Sequence, residues 1–299
     1  MDPQAASHPE PARAFGRVAE VYHRGRPGYP EDAVRWLVGD RPAQVLELGA
    51  GTGKLTARLV ELGHEVHATD PDPAMLAVLE TELPGVRTTV AAAERLPVAD
   101  RSVDVVVCGQ SFHWFDHPTA LEEIARVLRP GGRLAVVWYE RDERIPWVKR
   151  LGRLLGRVEQ LRDPSAPLTA NGRYGEVETS AHRFWQTIDR ESVQDLVVSR
   201  SHVALADPDT RAALLAQVVA FYDDYGRGMY GMELPYIARC FRAEVVDQPA
   251  ETLAVGDHAP DAGANPIVDT GSHPPIADEL FKAPRALDDD TGMLLIDFR

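Results

Sequence analysis

Val45-Leu46-Glu47-Leu48-Gly49-Ala50-Gly51-Thr52-Gly53 decides the fold of this chain. An apolar run of strand character enters three alternating glycines, and Lys54 to Leu62 then reads as a helix. Glycines at this spacing permit a sharp turn and the close approach of a ligand to the main chain. The free N–H groups opening the following helix favour a polar or anionic ligand group. The next apolar run, Val66-His67-Ala68-Thr69, ends in Asp70. An acid at the end of the second strand of a βαβ unit suits the hydroxyls of a ribose. A nucleoside-containing cofactor is therefore expected.

Three cofactor patterns compete for the loop. A dinucleotide fingerprint needs G-x-G-x-x-G, but Lys54 and Thr56 stand at the last position in the two possible registers. A phosphate-binding P-loop needs G-x-x-x-x-G-K-[ST]. Gly53-Lys54 fits its end, whereas Leu48 and Leu55 replace its first glycine and its hydroxyl. What remains is E-x-G-x-G-x-G, beginning at Glu47. That pattern resembles motif I of class I S-adenosylmethionine-dependent methyltransferases. A cofactor that carries a sulfonium and no phosphate tolerates the carboxylate of Glu47.

Further stretches follow in the order of that family. Ala91-Ala92-Ala93-Glu94-Arg95-Leu96-Pro97 resembles its adenine-binding loop. Asp104-Val105-Val106-Val107-Cys108 reads as a buried fourth strand and runs into Gly109-Gln110-Ser111-Phe112-His113-Trp114-Phe115-Asp116. Ile124 to Leu128 ends a helix at Arg129-Pro130-Gly131-Gly132, before a fifth strand from Arg133 to Trp138. Tyr22-His23-Arg24-Gly25-Arg26-Pro27-Gly28-Tyr29-Pro30 and the Gln-x-Phe-His-Trp-Phe stretch are similar to the trans-aconitate methyltransferase-like subgroup.

The resemblance covers roughly Phe15 to Ala243. It implies an α/β fold: a Rossmann-like, doubly wound, mostly parallel seven-stranded sheet with helices on both faces, finishing in an antiparallel hairpin. Tyr236 to Arg242 is the expected last strand. The resemblance implies that residues 1–243 form the catalytic domain and that the insertion at 139–179 caps the substrate pocket. S-adenosylmethionine is the implied cofactor, held by Glu47, Gly49, Ala50, Gly51, Asp70, Ala93, Glu94 and Gln110. Many relatives carry Asp at the position of Ala92. Here Glu94 or a main-chain carbonyl has to hold the adenine amino group.

Periodicity places the remaining elements. Helices are expected over Pro11–Tyr22, Glu31–Val38, Asp72–Leu83, Pro118–Leu128 and Pro146–Arg162, with another from Asp207-Pro208 to about Tyr222. Strands are expected over Gln44–Leu48, Glu65–Thr69, Val86–Ala91 and Val103–Cys108.

Methyl transfer is a displacement at a carbon that the cofactor has already activated, so the protein mainly aligns the reactants. A general base is needed only when the acceptor loses a proton. His113 is the candidate base, because it follows the fourth strand. Trp114 and Phe115 are placed to wall the pocket and to hold a sulfonium by cation–π contact. Tyr22, Arg26 and Tyr29 are candidates for a lid. Tyr139, Trp147, Arg150 and Arg153 are candidate contacts to the acceptor. The acceptor is expected to be a small molecule, methylated at O, N or C. The other reading is a non-catalytic, regulatory S-adenosylmethionine-binding module that engages a partner protein.

Composition bounds the rest. The chain has 299 residues, enough for one full core. No apolar run approaches a membrane span, and the first residues lack a signal-peptide core, so no membrane partner is expected. Two cysteines, Cys108 and Cys240, indicate no disulfide framework and point to the cytoplasm. A net charge of −14 argues against nucleic acid. The ten histidines lack ligand spacing, so no metal is expected. A monomer or homodimer is expected. From Glu244 onward twelve acidic residues face only Lys282, Arg285 and Arg299 in a Pro/Gly-rich stretch. Such a 244–299 tail reads as disordered or surface-docked and as dispensable for folding.

Overall fold

A computed structural model describes residues 19–155, 163–200, 203, 206–225 and 231–246. The helix expected from Pro11 lies outside them until Ala19, and the acidic tail lies outside them after Val246. Helix α1 spans Ala19–Gly25 and α2 spans Glu31–Val38. There follow β1 (Gln44–Leu48), α3 (Lys54–Glu61), β2 (Glu65–Asp70), α4 (Pro73–Glu82), β3 (Arg87–Val90) and β4 (Val103–Gly109). Helix α5 (His117–Val127), β5 (Leu128–Arg141), α6 (Pro146–Leu154) and α7 (Ser165–Asn171) come next. The chain continues through β6 (Glu178–Ile188), α8 (Ser192–Val198), α9 (Pro208–Tyr225) and β7 (Met232–Glu244).

The seven strands form one sheet in the order β3-β2-β1-β4-β5-β7-β6. Strands β1 to β5 pair in parallel, and β7 pairs antiparallel with both β5 and β6. Crossover helices cover both faces, so the central strands are apolar on both sides. Val45, Val105, Val107 and Val137 join one core, with Leu37, Leu59 and Leu151 from the helices. Leu46, Val106, Cys108 and Val136 join the other, under Leu121 and Ile124 of α5. Burial pushes the Cys108 thiol up, in keeping with its role as a small core hydrophobe.

Local signals explain the element starts. Asp72 caps α4, its side chain accepting from the Ala74 N–H at 2.9 Å, and Pro73 supplies the fixed φ of the first turn. Two expectations need correction. The Pro130-Gly131-Gly132 stretch does not precede β5 but lies within it, where Leu128 pairs with Val103 and the register then shifts. Gly131 takes φ +76° there, a conformation open to glycine. The antiparallel hairpin is also longer than expected: β7 starts at Met232, and its partner β6 occupies the sheet edge.

Strand β6 alternates between half-buried and exposed positions, which leaves Trp185 59 % exposed. Beyond β7, Val245 bridges to Tyr174, so the folded body runs past Ala243. Among the described residues no helix is long and apolar enough to cross a membrane.

Candidate functional site

The carboxyl ends of β1, β2 and β4 converge on the glycine loop. The Gly51 N–H donates to Asp70 Oδ2 at 2.9 Å, and the Asp72 N–H donates to Oδ1 at 2.8 Å. The Asp70 carboxylate is thereby aimed into the loop. It is 8 % exposed, and burial pushes its carboxyl up to about 6 against these two hydrogen bonds.

Gly49 and Gly51 are glycines for different reasons. Gly49 has φ +67°, and a Cβ there would stand 2.5 Å from the Ser111 Cβ. The loop after β4 is pressed onto it, and the Ser111 hydroxyl donates to the Leu48 carbonyl at 2.8 Å. Gly51 has φ +56° and meets only the Met75 side-chain terminus, at 3.4 Å. Its face is open, and it is here that a ligand can reach the main chain.

Glu47 is 1 % exposed, and its Oε2 accepts from the Thr56 hydroxyl at 2.7 Å. It ties the end of β1 to α3. Burial pushes its carboxyl up to about 8, against the Thr56 hydrogen bond. Ala50 and Ala93 are buried at the floor of the loops. Glu94 accepts from the Asp116 N–H at 2.8 Å through Oε1, while its buried Oε2 has no partner among the described residues. Gln110 holds φ +60°, a strained conformation for a side-chain-bearing residue. Its N–H donates to the Val137 carbonyl at 3.0 Å and its Nε2 to the Tyr139 carbonyl at 2.9 Å, which fixes it at the end of β4.

These groups fit a nucleoside cofactor. A buried acid is aimed by main-chain donors, a bare glycine face lies beside it, and the orphaned Glu94 oxygen sits at the loop expected to take an adenine amino group. Among the described residues no group of His, Cys, Asp and Glu side chains is arranged to hold a metal ion.

The pocket candidates divide into two clusters. Tyr29 packs edge-on to Tyr139 at 5.4 Å, and its hydroxyl occupies the space a Cβ on Gly109 would need. Tyr139 in turn meets Phe184 and Tyr236. Arg26 sits 5.0 Å from the Tyr22 ring centroid and lies in the field of the Tyr139 phenol, so Tyr22 borders this cluster. His113 belongs to the second. Its ring lies 4.2 Å from Trp114 and 4.7 Å from Trp138. Strand alternation points Trp138 and Tyr139 to opposite sheet faces.

Arg150 and Arg153, candidate acceptor contacts with a solvated helix face as the other reading, both lie exposed on α6. Arg150 lies over Phe221 and Tyr225 and donates to the Tyr225 hydroxyl at 3.1 Å, while Arg153 is exposed. Trp147 packs against the main core from α6. Arg141, Arg200 and Tyr236 border the first cluster and were not singled out in the sequence. Arg141 follows Tyr139 at a two-residue strand spacing, a signal that could have marked it; Arg200 follows α8 with no local signal.

The methyltransferase-domain family profile matches residues 46–136, which span β1 to β5. An uncharacterised methyltransferase of Mycobacterium bovis is 41 % identical over 234 residues, covering 77 % of this chain and 95 % of the relative. An uncharacterised methyltransferase-like protein of Schizosaccharomyces pombe is 37 % identical over 203 residues, covering 64 % of this chain and 78 % of its own. Among solved structures, a putative type II methyltransferase of Anaeromyxobacter dehalogenans superposes with a TM-score of 0.57 at 27 % identity, over 74 % of this chain and 97 % of that one.

Proposed function

The chain belongs to the class I S-adenosylmethionine-dependent methyltransferases, and we propose that it methylates an O, N or C atom of a small-molecule acceptor held at the end of β4. The observation that carries this reading is the junction of the glycine cradle with the tyrosine cluster: Gln110 bonds to the Tyr139 carbonyl, and Tyr29 seals Gly109. When bound, S-adenosylmethionine supplies a methyl group already activated on a sulfonium sulfur.

The chain holds and orients. In this reading Asp70 accepts from the ribose hydroxyls and Gly51 lets the main chain close on the cofactor. Glu94 Oε2 takes the adenine amino group. Ala50, Ala93 and Gln110 shape the floor, while Glu47 secures the loop to α3. Trp114 and Tyr139 wall the reaction centre, with Tyr22 above, and the helices from α6 onward exclude water. Trp147 supports this cap from the core. A panel of small acceptors, scored by release of the demethylated cofactor, tests the assignment. Tight cofactor binding with no turnover across O, N and C acceptors would count against it.

The Asp70 environment makes cofactor binding pH-dependent. Ribose hydroxyls donate, so they need the ionised acceptor, and burial pushes this carboxyl up to about 6. Affinity should hold above pH 7 and fall as pH drops through 6, by about tenfold at pH 5. Asp70→Asn removes the titrating group, and its affinity should be low and flat over the same range. Calorimetric titration from pH 5 to 8 checks this; an equally steep profile in the variant would assign the dependence elsewhere.

His113→Ala tests the candidate base. Turnover should fall while cofactor affinity stays within about twofold. A loss on the order of a hundredfold, with a changed pH–rate profile, marks a general base. Wild-type turnover would show that the ring only packs between Trp114 and Trp138.

A further inference from the structure

We propose that the acceptor carries an oxyanionic group, a carboxylate or phosphate, gripped by Arg26, Arg141 and Arg200 beside Tyr139 and Tyr236. This rests on the methyltransferase reading of the adjoining cradle.

Topology brings together three arginines that are far apart in sequence. Tyr139 and Arg141 share one face of β5 by alternation, and Arg141 stands opposite Tyr236 on β7. Helices α1 and α8 are joined by the Arg24–Asp195 ion pair at 2.9 Å. Arg26, just past α1, donates to the Ser199 carbonyl at 3.4 Å, next to Arg200. Arg200 lies in the field of both Arg26 and Arg141 and of the Tyr236 and Tyr139 phenols.

Each of these side chains has an unanswered donor. Arg141 and Arg200 are only 5 % and 8 % exposed. The Nε groups of Arg26, Arg141 and Arg200 are all buried with no hydrogen-bond partner among the described residues. One carboxylate reaches the cluster, Glu143, which accepts from Arg141 at 3.1 Å and is itself 45 % exposed on its side chain. Among the described residues no carboxylate pairs with Arg26 or Arg200. Burial first, and then the two neighbouring guanidinium charges, pull Arg200 down to about 9.

Three buried guanidinium groups answered by a single half-exposed carboxylate are costly to keep, and a structural ion-pair network would have supplied more carboxylates. A ligand oxyanion relieves both penalties, and guanidinium forks match carboxylate and phosphate oxygens. The cluster also adjoins the place where methyl transfer is proposed. Tyr139 shares the field of Arg26 and packs against Tyr29 at the end of β4. An anionic handle seated there would leave the rest of the acceptor facing the cradle.

The experiment is calorimetric titration of the full chain saturated with S-adenosylhomocysteine. Glutarate and propylphosphonate are the anionic probes, and dimethyl glutarate is the neutral control. The expected result is saturable binding of at least one anion and none of the diester, with the preferred probe distinguishing carboxylate from phosphate. Arg200→Met should weaken the anion at least tenfold while S-adenosylhomocysteine affinity stays unchanged, which also shows that the variant is folded. Arg200→Lys should fall between the two. Anions that bind no better than the diester overturn the proposal, as does an Arg200→Met variant with intact cofactor binding and undiminished anion affinity. If Arg200→Met does not fold, the wild-type contrast between charged and neutral probes still decides. A wild-type chain that fails to bind S-adenosylhomocysteine at all would sink the methyltransferase reading, and the proposal with it.

Discussion

Gly49→Ala should destabilise the chain by about 2–5 kcal/mol and abolish most cofactor binding, the sum of a left-handed backbone penalty and overpacking. The residue sits at φ +67°, and its new Cβ would stand 2.5 Å from the Ser111 Cβ and 2.8 Å from its hydroxyl oxygen. Neither atom is the loose end of a flexible side chain. Ser111 is buried and bonded to the Leu48 carbonyl, so the loop after β4 has to move away from the end of β1. That movement displaces Gln110 as well, since the two residues are adjacent. Gly51→Ala provides the contrast. Its φ of +56° brings the backbone penalty, but the new methyl meets only the Met75 terminus at 3.4 Å. It should lose about 1–2 kcal/mol of stability and proportionately more of its cofactor affinity, because the methyl enters the open face. Urea unfolding and calorimetry on both variants separate the two effects. A Gly49→Ala chain as stable as the wild type would show that Ser111 does not press on this loop.

Asp70→Ala should lower cofactor affinity by roughly 1.5–3 kcal/mol, the scale of hydrogen bonds to a charged group. Both carboxylate oxygens are oriented by main-chain N–H groups, from Gly51 and Asp72. The acid is therefore preorganised, and a ribose gains acceptors without having to order them. Removing the side chain also leaves the Gly51 N–H without its partner at the turn where the cofactor closes. The stability of the variant should change far less than its affinity, because burial of this carboxylate is itself unfavourable.

The half of the fold that holds the cofactor was legible because its signals are local. Buried parallel strands read as continuous apolar runs, and Asp72-Pro73 marks a helix start; β1 (Gln44–Leu48) and α2 (Glu31–Val38) match their expected ends. The second half was less legible for a physical reason. Strand β6 is an edge strand with one face in solvent, so Glu178 to Ile188 carries faint alternation and few large apolar residues. The shift of β5 across Pro130-Gly131-Gly132 depends on pairing with β4, which no local pattern reports.

The site divides in the same way. Glycines and an acid at strand ends announce a cofactor loop, whereas Arg141 and Arg200 are buried by tertiary packing. Arginine is normally exposed, so its presence in the sequence gives no hint of burial. Arg150, by contrast, is exposed on α6 and lies over Phe221 and Tyr225.

The central claim is that the glycine cradle takes S-adenosylmethionine and that Asp70 holds its ribose. Calorimetric titration of the full chain with S-adenosylmethionine, S-adenosylhomocysteine and NAD, in the wild type and in Asp70→Ala, tests it most directly. The account predicts saturable binding of the first two, no comparable binding of NAD, and a loss of roughly ten- to 150-fold in the variant. Tight binding of NAD, or an Asp70→Ala chain with wild-type affinity for S-adenosylmethionine, would contradict it.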